Sequence, residues 1–308
     1  MAVSVCCPTC RQRWEFELGE SPRCQNCRQQ FDPIQGDVRT TLTVDGIGAG
    51  DTLAGKYELL QVIGLGGMGV VFLARHCTLD TECAIKFLPG NSGELDRLRF
   101  EREGKLLASV HHPNVVEIYD LELAGSPPYL IMEYIRGRNL KQLVKDRPGG
   151  LPWQDAVSYT AAAARGLAAV HRQRSIHRDI KPSNLMKIEE PYSSPSSGLT
   201  PIKLMDFGLA RLWTAHHELT LPGQRPGTPT YMSPEQFNDE PLDARSDIYS
   251  LGGTLYFLLT GSHPYAGTAK EIMTQVLRGN PPPPVESITT HVPQAVCQVV
   301  RRAMAFNA

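Results

Sequence analysis

Four side chains suited to one kind of chemistry lie between residues 179 and 206 of this chain. Asp179, Lys181 and Asn184 fall in the run His177-Arg178-Asp179-Ile180-Lys181-Pro182-Ser183-Asn184, and Asp206 opens Asp206-Phe207-Gly208. A carboxylate can take a proton from a hydroxyl, and a lysine can neutralise a moving phosphoryl group. An asparagine and a second aspartate offer the hard oxygen donors that Mg²⁺ prefers. Together they suit phosphoryl transfer. A His-Arg-Asp triplet alone is weak evidence, so the weight rests on whether the rest of the chain supplies a nucleotide-binding half.

The elements upstream supply it. Tyr57 to Ile63 has strand character and runs into Gly64-Leu65-Gly66-Gly67-Met68-Gly69. A GxGxxG run followed by a helix is a dinucleotide turn, whereas one followed by a strand is a flap over nucleotide phosphates. Here the β-branched and aromatic Val70-Val71-Phe72-Leu73 follows, so a hairpin is expected. Glycine lets backbone N–H groups approach phosphate oxygens without a Cβ in the way. Lys86 comes next in Cys83-Ala84-Ile85-Lys86-Phe87-Leu88, a buried-strand pattern unlike the usual surface setting of a lysine. Leu95 to Leu107 has helical spacing and carries Glu101 and Glu103 as candidate ion-pair partners.

With these motifs in order, residues 57–305 resemble a protein kinase catalytic domain of the bacterial, eukaryotic-like Ser/Thr group. The resemblance extends through Tyr129-Leu130-Ile131-Met132-Glu133-Tyr134, Gly227-Thr228, Ser233-Pro234-Glu235 and Ser246-Asp247-Ile248-Tyr249-Ser250-Leu251-Gly252. It implies an α+β, bilobal kinase-like fold with a β-rich N-lobe over 57–135 and a helical C-lobe over 136–308. It also implies ATP with Mg²⁺ or Mn²⁺ as cofactors, and protein substrates phosphorylated on Ser or Thr, the last from Lys181 and Thr228.

The resemblance assigns roles to individual residues. Lys86 would bind the α/β-phosphates and pair with Glu103. Asp179 would orient the substrate hydroxyl and accept its proton, Lys181 would stabilise the γ-phosphoryl group, and Asn184 and Asp206 would hold Mg²⁺. Ile63, Gly64, Gly66 and Gly69 would cover the nucleotide. Met132 would be the gatekeeper, the backbone of Glu133 and Ile135 would meet adenine, and Val71, Ala84 and Met186 would sandwich the ring. For these last three, ordinary core packing is an equally open reading. Asp247 should anchor the catalytic loop through its backbone.

Residues 206–235 correspond to an activation loop. Arg178 is the residue that a loop phosphate would pair with. Thr220 is the leading autophosphorylation candidate and Thr214 the second, with self-association in trans as an implied partner interaction; as plain loop threonines both would be solvated. The Ser/Pro/Gly-rich stretch from Ile188 to Thr200 should be an exposed loop. Val292 to Met304 should be a late C-lobe helix with Val296, Val299, Val300, Ala303 and Met304 on one face. The resemblance implies further helices and an arginine partner for Glu235 beyond it, so the chain reads as C-terminally truncated, with Glu235 unpaired.

Composition bounds the rest. The chain has 308 residues, a net charge of −1 and eight cysteines, five of them in the first 27 residues. Neither nucleic acid nor membrane is favoured by that charge, no secretory signal opens the chain, and the apolar run Leu251 to Leu259 is too short to span a bilayer. A soluble, cytoplasmic protein is expected. Cys7-Pro8-Thr9-Cys10 and Cys24-Gln25-Asn26-Cys27 form a CxxC pair on each side of a thirteen-residue gap. Cys7, Cys10, Cys24 and Cys27 would make a closed tetrahedral site for structural Zn²⁺, with Cys6 a bystander. Disulfides or a redox CxxC would use the same residues, but no βαβ context supports the latter. A zinc-ribbon-like module over 1–31, a flexible linker over 32–56 and the kinase-like domain over 57–308 complete the expected organisation. Arg11, Arg13, Arg23 and Arg28 make the module somewhat basic, which reads as a solvated face.

Overall fold

The structure is a computed structural model that describes residues 3–6, 13–16, 26–28, 42–66, 69–88, 94–125, 127–189, 200–206 and 229–306. The chain divides into two compact units. The first is built from the described residues up to Ala108 and from Glu117–Tyr134, the second from Ser109–Val116 and the described residues from Ile135 onward.

The first unit has two antiparallel sheets. Strands β1 (Val3–Cys6), β2 (Arg13–Phe16), β3 (Thr43–Val44) and β4 (Ile47–Gly48) form one, in the order β2-β1-β3-β4. The other contains β5 (Thr52–Leu53), β6 (Tyr57–Gly66), β7 (Gly69–His76), β8 (Thr81–Phe87), β9 (Ile118–Glu122) and β10 (Tyr129–Glu133), in the order β5-β6-β7-β8-β10-β9. Helix α1 (Glu94–Ala108) belongs to the same unit.

Side chains alternate across the larger sheet, so its register sorts them into two faces. Val70, Phe72 and Ala74 of β7 stand opposite Phe87, Ile85 and Cys83 of β8, which in turn face Tyr129, Ile131 and Glu133 of β10. Apart from Glu133, these form one buried core, with Phe87 edge-on to both Phe72 and Tyr129. The opposite face carries Val71, Leu73, Ala84, Lys86, Leu130 and Met132. Hydrophobicity on both faces is what a sheet covered on both sides requires.

The smaller sheet packs into that same core. Val3, Leu42 and Val44 are fully buried with Leu59, Val62 and Phe72, and Ile47 and Leu53 pack against the cluster. Residues 42–53, expected as linker, are therefore strand and core. No periodic pattern could announce strands of two residues each. Trp14 and Phe16 lie on β2, which pairs with β1 through Val3 to Phe16 and Val5 to Trp14.

The second unit is mostly helical. It contains α2 (Leu140–Lys145), α3 (Trp153–Arg172), α4 (Pro234–Phe237), α5 (Ala244–Thr260), α6 (Ala269–Leu277), α7 (Val285–Ile288) and α8 (Gln294–Ala303). A small sheet of β11 (Gly137–Asn139), β12 (Leu185–Ile188) and β13 (Ile202–Leu204) joins them. Helix α5 is buried on nearly every side, so it forms the centre of the unit. Its start is capped by the Asp243 carboxylate on the Arg245 N–H at 2.8 Å, and its end by Gly261 with φ +70°. Gly252 lets α8 come close, since a Cβ there would lie 2.7 Å from that of Ala303.

Helix α8 occurs where expected, with one difference. Its buried positions are Cys297 and Val300, followed by Met304, while Val299 is 57 % exposed. Val299 lies at the exposed edge of the stripe, where it lines an apolar cavity with Val296, Ala303 and Leu251 and Leu255 of α5.

Candidate active site

The catalytic-loop residues gather in the second unit, around the central helix. Asp247 lies in the first turn of α5 with its carboxylate buried. Its Oδ2 accepts from the His177 N–H at 2.8 Å and from His171 Nε2 at 2.7 Å, and its Oδ1 accepts from the Arg178 N–H at 2.8 Å. One carboxylate thus holds two successive backbone amides, as the sequence led us to expect. The third partner, His171 near the end of α3, was not foreseen.

Beyond that anchor the loop is tied to itself. Lys181 Nζ donates to Asp179 Oδ2 at 2.7 Å, and Asn184 Nδ2 donates to the Asp179 carbonyl at 2.8 Å and to its Oδ2 at 3.0 Å. Two donors on Oδ2 leave Oδ1 as the oxygen available to a substrate hydroxyl. Spending its amide nitrogen on Asp179 leaves Asn184 with Oδ1 as its donor atom. The turn Pro182–Asn184 places Asn184 at the start of β12, whose partner β13 runs on to Asp206. The Met205 N–H donates to the Asn184 carbonyl at 2.9 Å, and the Met205 carbonyl faces His177 Nε2 at 2.9 Å.

His177 is fully buried, and burial holds its pKa below the ordinary value, against the opposing pull of Asp247. A neutral imidazole facing a carbonyl must carry its proton on Nε2, which leaves Nδ1 to accept from the Asp179 N–H at 3.4 Å. The ring therefore bridges the Asp179 and Asp206 segments.

Two of these residues sit in left-handed backbone, Arg178 at φ +67° and Asp206 at φ +51°. For non-glycine residues such conformations cost on the order of 1–3 kcal/mol each and persist where surrounding contacts over-determine them. The bonds to Asp247 supply that restraint at Arg178.

Several residues expected at the nucleotide lie in the first unit, on the sheet face away from the aromatic core. Val71, Ala84, Lys86 and Met132 share that face on the adjacent strands β7, β8 and β10, with Met132 paired to Ala84 and Val71 to Lys86. Lys86 is only 6 % exposed, a position where an ammonium needs polar or anionic partners. Ile63, Gly64 and Gly66 lie at the end of β6, and Gly69 opens β7 at φ +124° with no room for a Cβ against the Phe87 carbonyl. Glu133 ends β10, while Ile135 (buried) and Met186, on β12, belong to the second unit. Glu103 lies in α1, but its side chain falls outside the described residues, as do Thr214, Thr220 and Thr228.

The protein kinase domain model matches residues 57–298. The chain belongs to the protein kinase family. It is 38 % identical over 239 residues to the serine/threonine-protein kinase PknB of Mycobacterium leprae, covering 75 % of this chain and 37 % of that one. It is 34 % identical over 290 residues to the serine/threonine-protein kinase Pkn1 of Myxococcus xanthus, covering 92 % and 38 %. The chain thus spans under two fifths of these relatives' lengths. The crystallised kinase domain of Mycobacterium tuberculosis PknI is similar in structure, with a TM-score of 0.63, 25 % identity, and 84 % and 92 % of the two chains covered.

Within that family frame, one pairing differs from expectation. Glu235 is not left without a partner, because it accepts from Ser246 Oγ at 2.5 Å. The hydroxyl at the start of α5 takes the place assigned to a distant arginine. Among the described residues no group of three or more His, Cys, Asp or Glu side chains could hold a metal. Asn184 and Asp206 are instead two hard-oxygen donors, which fits Mg²⁺ held jointly with nucleotide phosphates. Cys7, Cys10 and Cys24 lie outside the described residues, and Cys27 is exposed in a turn. Among the described residues no helix is long and apolar enough to cross a membrane.

Proposed function

We propose that this chain transfers the γ-phosphoryl group of ATP to serine or threonine hydroxyls of protein substrates. The observation that carries the reading is the hydrogen-bonded set Asp179, Lys181 and Asn184, anchored on Asp247 within a kinase-family segment. Asp179 Oδ1 positions the hydroxyl and receives its proton as the oxygen attacks. Lys181, already 2.7 Å from the other carboxylate oxygen, stands where charge on the transferring group needs neutralising. Lys86 binds the α/β-phosphates and pairs with Glu103, and the sheet face of Val71, Ala84 and Met132 receives the base. Asn184 and Asp206 would hold Mg²⁺, which would shield phosphate charge. Because phosphoryl transfer is chiefly positioning and electrostatics, a chain that retains this whole set is equipped for it.

The same reading extends to regulation and to the N-terminal cysteines. Phosphorylation of Thr220, or of Thr214, would add about −1.5 to −2 charges and pair with Arg178. Cys7, Cys10, Cys24 and Cys27 would bind one structural Zn²⁺.

Incubation with radiolabelled ATP and Mg²⁺ tests the central claim. Label should enter Ser and Thr residues of the wild-type chain or of a generic protein substrate. Asp179→Asn and Lys86→Met should each abolish incorporation. Wild-type incorporation in both variants, or phosphotyrosine alone, would defeat the assignment.

A further inference from the structure

On the kinase reading, we infer that Gln236 is a positioning residue whose side-chain amide clamps the peptide bond leading into Asp179 and couples α4 to the catalytic loop. Gln236 Nε2 donates to the Arg178 carbonyl at 2.9 Å, while its Oε1 accepts from the Ser233 N–H at 3.0 Å. The two ends of the amide have opposite partners, a carbonyl and an N–H. A flipped amide would set acceptor against acceptor and donor against donor, so the orientation is determined.

The clamped carbonyl occupies a sensitive place. Arg178 is in left-handed backbone, and the plane of the 178–179 peptide sets where the Asp179 side chain emerges. Asp247 restrains the N–H side of Arg178 at 2.8 Å. On the far side, the Asp179 N–H has only the long 3.4 Å approach to His177 Nδ1, so the carbonyl holds the shorter bond of that peptide unit. Asp247 thus restrains one end of the residue. Gln236 closes the second end.

The clamp is itself held. Ser233 is buried at the start of α4, and Glu235 bonds to Ser246 at the start of α5. Helix α4 is therefore tied to α5 by one residue and to the catalytic loop by the next. It also follows residues 207–228 closely in sequence.

Gln236→Glu tests the effect. A glutamate keeps an oxygen for the Ser233 N–H, as capping boxes do, and replaces the donor to Arg178 by a carboxylate oxygen facing that carbonyl, so the clamp is lost. In the 308-residue chain this variant should melt within about 3 °C of wild type and keep its KM for ATP within about twofold, with kcat lowered roughly tenfold by loss of one positioning bond. Amide exchange across residues 177–181 should speed up. Gln236→Met, similar in shape, should lose kcat and the cap together. Wild-type kcat and exchange protection in Gln236→Glu would overturn the inference, as would a kcat loss matched by a general loss of stability. If the wild-type chain proves unable to transfer phosphate, the kinase reading fails, while the exchange comparison still decides whether Gln236 holds the loop.

Discussion

Replacing Asp247 with asparagine should loosen the catalytic loop at its base. The carboxylate is 1 % exposed and accepts from His171, His177 and Arg178 at 2.7–2.8 Å. An asparagine has one acceptor oxygen. If that oxygen takes the Oδ2 position it keeps His171 and His177, and its NH₂ group then faces the Arg178 N–H, which is left buried without an acceptor. A hydrogen bond to a charged group contributes about 1.5–3 kcal/mol, and an orphaned buried donor costs about 1–3 kcal/mol. Weakening of the two retained bonds adds to this, so a total loss of about 3–5 kcal/mol is expected, the range for breaking a buried charged network. Against a typical total of about 5–15 kcal/mol that is a large fraction. For a domain of this size it lowers Tm by roughly 10 °C. Urea unfolding and thermal melting of Asp247→Asn measure it directly, and kcat should fall because Arg178 then loses the bond that holds its left-handed backbone. A loss below about 1 kcal/mol with unchanged kcat would refute the view that this carboxylate organises the loop.

Two further outcomes follow from the same structure. Burial depresses the His177 pKa below its ordinary 6.5, and burial shifts His112 and His263 the same way. The unfolded chain therefore takes up protons first, so this contribution to stability is complete above about pH 6.5 and declines as pH falls, by at most about 1.4 kcal/mol per pH unit for a fully buried group. A urea midpoint lower at pH 5.5 than at pH 7.5 is expected, and a higher one would contradict the neutral assignment of His177. Reduced wild-type protein should carry one zinc per chain by elemental analysis, and a Cys7→Ser, Cys24→Ser variant none; zinc-free wild type would dismiss the four-cysteine site.

What the sequence made legible was mostly local. Asp179, Lys181 and Asn184 lie within six residues, and one tight turn is enough to bring them into contact. The Gly-rich hairpin is equally short-range, because Gly66 and Gly69 pair across it. The unforeseen contacts join distant positions: Gln236 reaches Arg178 across 58 residues and His171 reaches Asp247 across 76. Glutamine after a Pro-Glu pair, or histidine six residues before His177, has no periodicity or spacing that announces a partner. Ser246 was in view as part of a motif, yet a hydroxyl gives no sign in sequence that it will meet Glu235. Val299 shows the converse limit, since apolar identity could not say on which side of the buried stripe it would fall.

The N-terminal residues alter the energetic picture most. Read alone, a module of about 30 residues buries too little to fold, and bound metal would have to supply most of its stability, roughly 10–16 kcal/mol for structural zinc. The structure gives its strands a second source. Val3, Leu42 and Val44 are buried in one continuous core with Leu59, Phe72, Ile85 and Phe87, on the sheet face opposite Lys86. Burying such side chains contributes about 1.5–3 kcal/mol each. The boundary expected at residue 56 thus falls inside a shared core, so β1 and β3 gain from the larger sheet what a free module would lack. The strands would then hold their place through the larger sheet and not through metal alone. Contact on the core face leaves the Val71, Ala84, Lys86 and Met132 face untouched, so the fused sheet can add stability without entering the face proposed for the nucleotide.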